Sequence, residues 1–143
     1  MKIGELAQRA HCTVGTVRYY EKEGLLCAPE RTAANYRIYN QAHLERLRFI
    51  RNCRSLDMTH DEIRTLLRMR DSPSEDCGAI NDLLDEHITH VEVRINELVQ
   101  LKSQLADLRI LCQIERSVDK CGILHGLTTM DTEAKPLRST HLG

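Results

Sequence analysis

The chain has 143 residues, of which 41% are hydrophobic and only 3% are aromatic. This length allows one small domain with an extended element, and the few aromatic residues argue against a roomy pocket for an organic ligand. No apolar run reaches the roughly 18 residues that span a bilayer, and the first ten residues do not resemble a signal peptide. The composition predicts a cytoplasmic protein with no membrane partner, whose six cysteines are thiols or metal ligands rather than disulfides.

The formal net charge of −1 conceals an asymmetry between the two parts of the chain. Residues 1–54 hold ten Lys or Arg against five Asp or Glu, a net charge of +5. Residues 55–143 hold ten Lys or Arg against sixteen Asp or Glu, a net charge of −6. Only the first part has the balance expected of a protein surface that binds a polyanion, although a solvated charged surface would explain the charge alone.

The first 24 residues predict two short helices joined by a tight turn. Apolar residues follow helical spacing up to a break at His11 and Cys12, and Thr13 is a suitable N-cap for a second helix that ends at Gly24. This is the pattern of a helix-turn-helix, whose second helix faces the major groove of DNA. Residues 28–39 contain a proline and then alternate, which predicts a two-stranded wing with a basic, aromatic tip.

These features predict a winged helix-turn-helix DNA-binding domain over residues 1–70. Guanidinium and hydroxyl groups position a protein on phosphates, and the start of the second helix faces base edges. The predicted DNA-binding residues are Thr13, Val14, Thr16, Arg18, Tyr19, Tyr20, Arg31, Asn35, Tyr36 and Arg37. The alternative interpretation places Tyr20, Ile38 and Tyr39 in the core and leaves the arginines solvated.

Two further helices are predicted to complete this domain. Asn40 is a suitable cap for the third helix, and Thr59 with Glu62 forms a capping-box pattern at the start of the fourth. Asp71, Ser72 and Pro73 then end the fourth helix, which predicts a hinge over residues 71–77.

Residues 78–112 predict a long dimerisation helix. Apolar residues recur at every seventh position from Leu84 to Leu105, which is typical of helices that pair in a coiled coil. His87 and Arg94 interrupt this seam and either set its register or face solvent. A metal-binding loop with a short helix is expected over residues 113–127, and a flexible tail over residues 128–143. The predicted fold class is therefore mainly α: a winged helix-turn-helix domain, a long antiparallel coiled-coil dimerisation helix and a C-terminal metal-binding loop.

Cys77, Cys112 and Cys121 predict a metal site that only a dimer completes. A helix-forming stretch of 34 residues separates Cys77 from Cys112. It spans roughly 50 Å, too far for one chain to bring both thiols to one ion. Antiparallel pairing would bring Cys77 of one protomer beside Cys112 of the other, where Cys121 folds back to join them. Three thiolates favour thiophilic ions, and Zn(II) also uses them, whereas Mg(II) and Ca(II) do not. Packing is the alternative explanation for Cys112, which falls on the apolar seam.

A second metal site is a weaker prediction. His87 and His90 are one helical turn apart and could bind an ion together with Glu62 and His141. A surface histidine pair is the more ordinary explanation. The remaining cysteines, Cys12, Cys27 and Cys53, lack paired spacing and are interpreted as structural or incidental. No nucleophile with an oriented base, glycine-rich phosphate loop or carboxylate pair stands out, so no enzymatic activity is expected.

Three segments resemble the MerR family of metal-responsive transcription regulators: IGELAQRAHCTVGTVRYYEKEGLL, NYRIY and HLERLRFIRNCRSLDMTHDEIRTLL. The segments DSPSEDCGAINDLLDEHITHVEVRI and CGIL resemble its cadmium- and lead-responsive branch. The resemblance implies a homodimer on promoter DNA whose spacer is too long, and a metal-driven distortion of that DNA until RNA polymerase uses it. It assigns Cys77 of one protomer and Cys112 and Cys121 of the other to Cd(II) or Pb(II), and it implies activation of a metal-efflux gene.

Several alternatives stay open at this point. Cys77 stands where the monovalent copper or silver sensors of the family carry serine, so a divalent ion is favoured. Residues 113–120 lack the histidine and extra cysteine of the zinc-sensing branch, which lowers Zn(II) as the main inducer, and Hg(II) sensors share the three-cysteine pattern. Two other classes of protein function are alternatives. One is a thiol-based metal-buffering protein, and the other is a regulator with structural cysteines that senses a protein or an organic ligand.

Overall fold

The computed structural model describes residues 1–73 and 76–132, and its contacts divide the chain after Leu83 into two compact units. The predicted mainly helical fold with a small wing and one long helix is confirmed. The first unit contains α1 (Ile3–Arg9), α2 (Val14–Lys22), β1 (Glu30–Arg31), β2 (Arg37–Ile38), α3 (Gln41–Ser55), α4 (His60–Arg70) and the start of α5 (Gly78–Ile110). The rest of α5, a 3-10 helix (Val118–Lys120) and α6 (Gly122–Thr129) belong to the second unit.

Local hydrogen bonds and turns define the helix-turn-helix. Thr13 caps α2 as predicted, because its hydroxyl accepts a hydrogen bond from the backbone N–H of Thr16 at 3.1 Å. His11 makes the turn with a φ of 54°, and Gly24, with a φ of 75°, follows the end of α2. Left-handed backbone is costly for most side chains and easy for glycine, so Gly24 suits a helix end.

The wing is a short antiparallel hairpin. Glu30 lies opposite Ile38, and Arg31 lies opposite Arg37. Asn35 has a φ of 66°, a conformation that asparagine adopts more easily than most residues, and it turns the chain between the strands. The wing predicted over residues 28–39 therefore has only two paired residues in each strand.

Side chains from α1 to α4 form one apolar core in the first unit. Asn40 caps α3 as predicted, and the imidazole of His43 completes a capping box by accepting from the backbone N–H of Asn40 at 3.1 Å. Thr59 and Glu62 form the predicted capping box of α4. The most deeply buried large side chains are Leu6, Val17, Leu25, Tyr39, Leu47, Ile50, Ile63 and Leu67.

The long helix α5 is continuous over 33 residues and ends at Ile110, two residues before the predicted end. Apolar side chains along it are exposed in the single chain, among them Leu84, Ile88, Leu98 and Leu105. His87 is buried rather than facing solvent. The helix α6 continues to Thr129, so the first two residues of the expected tail are helical. Within the described residues, no helix is long and apolar enough to cross a membrane.

Candidate nucleic-acid interface and metal centre

The helix α2 presents polar and aromatic side chains to solvent. Arg18 and Tyr19 are exposed, while Val17 on the opposite face is fully buried in the core. The hydroxyls of Thr13 and Thr16 lie 2.9 Å apart at the start of the helix. Val14 is half-buried and packs against the core. Core packing on one side of α2 thus fixes which residues of the other side are available to DNA, and their contacts with DNA stay predictions.

Tyr20 does not fit the predicted phosphate contact. Its side chain is only 7% exposed, and it packs among the core residues three positions from Val17. Burial raises the pKa of Tyr20, which is the direction expected for a phenol removed from water. The helical spacing of Val17 and Tyr20 is the signal that would have assigned both residues to the core.

The tip of the wing is exposed and basic. Arg31 donates one hydrogen bond to the backbone carbonyl of Asn35 at 3.1 Å and a second to its side-chain oxygen at 3.4 Å. These bonds tie the two sides of the turn together. Tyr36 beside them is 68% exposed. An exposed phenol and guanidinium on a braced turn are suitable donors to phosphate oxygens.

An open groove of about 730 Å³ lies between α2 and the wing. Four cationic side chains line it: Arg18, Lys22, Arg31 and Arg37. Glu21 also lines the groove and pairs with Arg37, whose nitrogen lies 3.4 Å from its carboxylate. Lys22 and Glu21 are not predictable as groove residues from the sequence, because only the folded chain brings the wing beside α2. A groove dominated by cations attracts a polyanion.

His60 is a further residue beside the exposed face of α2, and no local sequence pattern marks it. Its Nδ1 atom lies 3.5 Å from the hydroxyl of Tyr19, and the two rings are tilted by 53° at a centroid distance of 5.6 Å. Burial lowers the pKa of His60, and the positive charges of Arg54 and Arg64 lower it further. His60 thus connects the first turn of α4 to the exposed face of α2.

Cys112 and Cys121 line the same cavity, of about 220 Å³, near the C-terminal end of α5. Leu111, Glu115, Arg116 and Gly122 complete its walls. The Cys112 thiol lies 3.8 Å from the carbonyl oxygen of Ile114, and both cysteines are half-buried. Two sulfur ligands beside one small cavity suit a soft metal ion. Within the described part of the second unit, no three ligand atoms of His, Cys, Asp or Glu lie within 4.8 Å of one another.

Cys77 lies directly before α5 and is exposed. Its backbone carbonyl accepts a hydrogen bond from the N–H of Asn81 at 3.0 Å, as expected of the residue that directly precedes the first turn of a helix. The Asp76 carboxylate accepts a bond from the N–H of Gly78 at 2.9 Å. The thiol of Cys77 is therefore held at one terminus of α5, and Cys112 follows the other terminus.

The weaker second metal site stays a prediction. Glu62 lies on α4 in the first unit and accepts a hydrogen bond from the N–H of Thr59 at 2.9 Å. His87 and His90 lie on α5 in the second unit, and His90 is 3.9 Å from the carboxylate of Glu86. His141 lies outside the described residues.

The other cysteines fit the structural interpretation in part. Cys53 is buried in the core, and burial raises the pKa of its thiol. Cys12 is half-buried beside the core, where burial also raises its pKa, partly offset by the positive charge of Arg51. Cys27 is exposed.

Comparison with known proteins identifies the family. The model of the MerR HTH family regulatory protein matches residues 1–70, and the model described as MerR, DNA binding matches residues 44–108. The HTH-type transcriptional regulator ZntR homolog of Haemophilus influenzae is 49% identical over 76% of this chain and 81% of its own length. The chain belongs to the MerR family of transcriptional regulators.

Other MerR-family proteins are similar over most of the chain. The Escherichia coli regulator ZntR is 37% identical over 88% of this chain and 91% of its own. The crystal structure of the regulator PbrR691 from Ralstonia metallidurans CH34, in complex with lead(II), is 51% identical with a TM-score of 0.82. It covers 89% of this chain and 98% of the PbrR691 chain. MerR-family proteins are DNA-binding transcriptional regulators and not enzymes.

Proposed function

We propose that this MerR-family protein is a homodimeric regulator that binds promoter DNA through its first unit and responds to Cd(II) or Pb(II). Cys77 of one protomer and Cys112 with Cys121 of the other would hold the ion. The observation that supports this most directly is the small cavity lined by both Cys112 and Cys121. It supplies two thiols, and the exposed Cys77 is the third cysteine of the predicted set.

The length of α5 favours a site shared between protomers. The helix has 33 residues, which corresponds to about 50 Å at 1.5 Å per residue. Cys77 precedes this helix and Cys112 follows it, so an antiparallel pair of α5 helices would bring each Cys77 to the partner's cavity. Exposed apolar residues along α5, such as Leu98 and Leu105, would be covered by this pairing.

The choice of Cd(II) or Pb(II) is supported by ligand chemistry and by similarity. Three thiolates suit soft divalent ions. The similar PbrR691 structure contains lead(II), whereas two similar relatives are ZntR proteins. Zn(II) and Hg(II) are therefore the competing inducers within the same mechanism. A metal-buffering protein without promoter specificity would leave the basic groove between α2 and the wing without a role.

The proposed response is a coupling between metal binding and DNA geometry. Metal at the ends of α5 would favour one arrangement of the two DNA-binding units, with a coupling free energy of about 1–3 kcal/mol. In this arrangement the protein would distort the DNA so that RNA polymerase can use both promoter elements. Transcription of a metal-resistance gene, such as an efflux gene, would then be activated.

Mixed dimers test whether the site is shared. One subunit carries Cys77→Ser and the other carries Cys112→Ser with Cys121→Ser. A shared site leaves one complete set of three thiols per mixed dimer, so titration with Cd(II) should give a thiolate charge-transfer band at one ion per dimer. Each variant homodimer should lack that band. If the mixed dimer also lacks it, the shared three-thiolate site is wrong.

Transcription in vitro then ranks the inducers. Cd(II), Pb(II), Hg(II) and Zn(II) are compared at equal free concentration on the promoter that the protein selects. We expect Cd(II) or Pb(II) to give half-maximal activation at the lowest concentration, and Cys121→Ser to abolish activation while DNA binding without metal persists. Stronger activation by Zn(II) or Hg(II) would overturn the choice of metal.

A further inference from the structure

Glu21 is an acidic residue in the groove where DNA is expected to bind. Arg18, Lys22, Arg31 and Arg37 line the same groove and attract phosphate, whereas a carboxylate repels it. The side chain of Glu21 is only 14% exposed. A negative charge in this groove opposes DNA binding unless its side chain also makes a contact that favours binding.

Both carboxylate oxygens of Glu21 bind residues of the wing. Oε1 accepts a hydrogen bond from the hydroxyl of Tyr39, and Oε2 lies 3.4 Å from a guanidinium nitrogen of Arg37. Arg37 begins β2, and Tyr39 directly follows the end of that strand. A single carboxylate on α2 therefore bonds to Arg37 in the wing and to Tyr39 directly after it.

Tyr39 is the anchored end of this connection. Its side chain is 1% exposed, and its ring packs edge-on against His43 at a centroid distance of 5.3 Å. Its backbone N–H donates to the carbonyl of Met1 at 2.8 Å. Burial and the bond to Glu21 raise the pKa of Tyr39 to about 12, so the phenol stays a hydrogen-bond donor at neutral pH.

Arg37 is the exposed end of the connection through Glu21. Its side chain is 42% exposed, and the guanidinium group has five N–H donors in a fixed fork. Pairing with Glu21 restricts the rotamers of this long side chain. It occupies one guanidinium nitrogen, so other N–H groups of Arg37 can donate to a phosphate. We propose that Glu21 is a positioning residue for DNA binding, which sets the wing and Arg37 relative to α2.

This proposal rests on DNA binding by the first unit and is independent of the metal response. If Glu21 acts only through its charge, its removal should change the affinity for DNA in one direction; if it positions the wing, its removal should change the affinity in the other. Removal of a negative charge near phosphates should tighten binding to DNA by a few-fold. Loss of a positioning contact should weaken binding, because the wing contacts would have to be ordered during association.

The test uses the full-length protein and a fluorescent duplex that the wild type selects from a random-sequence DNA library. Failure to select any sequence would contradict sequence-specific DNA binding itself, before any variant is compared. With the selected duplex, fluorescence anisotropy gives Kd over a range of salt concentrations for the wild type and for Glu21→Ala, Glu21→Gln and Tyr39→Phe.

We expect Glu21→Ala to weaken DNA binding about tenfold and to lower the slope of log K against log salt by about one, the value for one lost phosphate contact. Glu21→Gln should recover part of the affinity, because its amide oxygen still accepts from Tyr39. Tyr39→Phe should weaken binding with no change of charge. Glu23→Gln is the matched control: it removes a carboxylate that pairs with Arg64 instead of the wing and should change Kd less than twofold.

Circular dichroism separates positioning from loss of folding. If Glu21→Ala is unfolded, Glu21→Gln and Tyr39→Phe decide the question at wild-type helix content. Unchanged or tighter binding with an unchanged salt slope in the folded variants would overturn the proposal, because Glu21 would then be only a tolerated negative charge.

Discussion

Gly122 lies against the backbone carbonyl of Leu111, so closely that a Cβ atom at residue 122 would be 2.5 Å from that oxygen. Gly126, one turn further along α6, would bring a Cβ within 2.7 Å of the Leu111 side chain. Cys112 directly follows Leu111, and Cys121 directly precedes Gly122. This contact between α6 and the residue that follows α5 therefore sets how close the two cysteines lie, and the absence of a side chain at residue 122 makes it possible.

Gly122→Ala should impair the proposed metal site without affecting DNA binding. The added methyl group meets backbone, which cannot rotate away, so Cys121 must move relative to Cys112. Displaced ligands commonly reduce metal affinity about 10–100-fold. Competition of the reduced protein with a Cd(II) chelator measures this affinity. Gly4→Ala is the control, because no atom lies within 4 Å of a Cβ at residue 4. Equal affinity in both variants would contradict a site formed by these cysteines.

Leu98→Glu should dissociate the proposed dimer. Leu98 is 46% exposed in the single chain and lies on the heptad seam of α5, where pairing would bury a leucine against the partner helix. Two charges at one seam position would be desolvated and would repel each other. Sedimentation equilibrium at micromolar concentration measures the oligomeric state. Gln100→Glu adds the same charge at an exposed polar position and should remain dimeric. A dimeric Leu98→Glu variant would place the interface elsewhere.

His60 should make the protein less stable in mild acid. Its pKa is lowered in the folded chain from the usual 6.5 by burial and by Arg54 and Arg64, so the unfolded chain binds a proton more readily. The free energy of unfolding should therefore fall as the pH is lowered through 6.5 and recover above it.

Urea unfolding at pH 5 and pH 7.5 measures the effect of His60. We expect His60→Gln to show a smaller loss on acidification than the wild type, whereas His125→Gln, a change at an exposed residue of α6, should behave as the wild type. An equal pH dependence in wild type and His60→Gln would refute this role.

Thr59→Ala should remove half of the capping box at the start of α4. The Thr59 hydroxyl accepts from the N–H of Glu62 at 3.1 Å, and alanine has no oxygen to accept this bond. The expected loss is about 1 kcal/mol in the free energy of unfolding, measured with urea. The hydroxyl of Thr89 donates to the carbonyl of Asp85 within α5, so Thr89→Ala should lower the free energy of unfolding by less. Similar losses would show that the cap contributes nothing specific.

The predictable parts of the fold depend on residues close together in the chain. Thr13, Asn40 and Thr59 cap their helices through bonds to residues three positions ahead, and these patterns are readable in the sequence. His43 completes its box with an imidazole in place of the usual Glu or Gln, so its role was not predicted. The candidate metal ligands could be chosen from residue type and spacing, because few side chains bind soft ions.

The sequence by itself determined the helices, the wing, the heptad pattern and the three cysteines, because short-range hydrogen bonds and apolar periodicity specify them. Only the tertiary structure decided the bonds of Glu21 to the wing and the contact of Tyr19 with His60. These contacts join residues 16 to 41 positions apart. The path of the folded chain brings such residues together, and no local pattern records which pairs will meet.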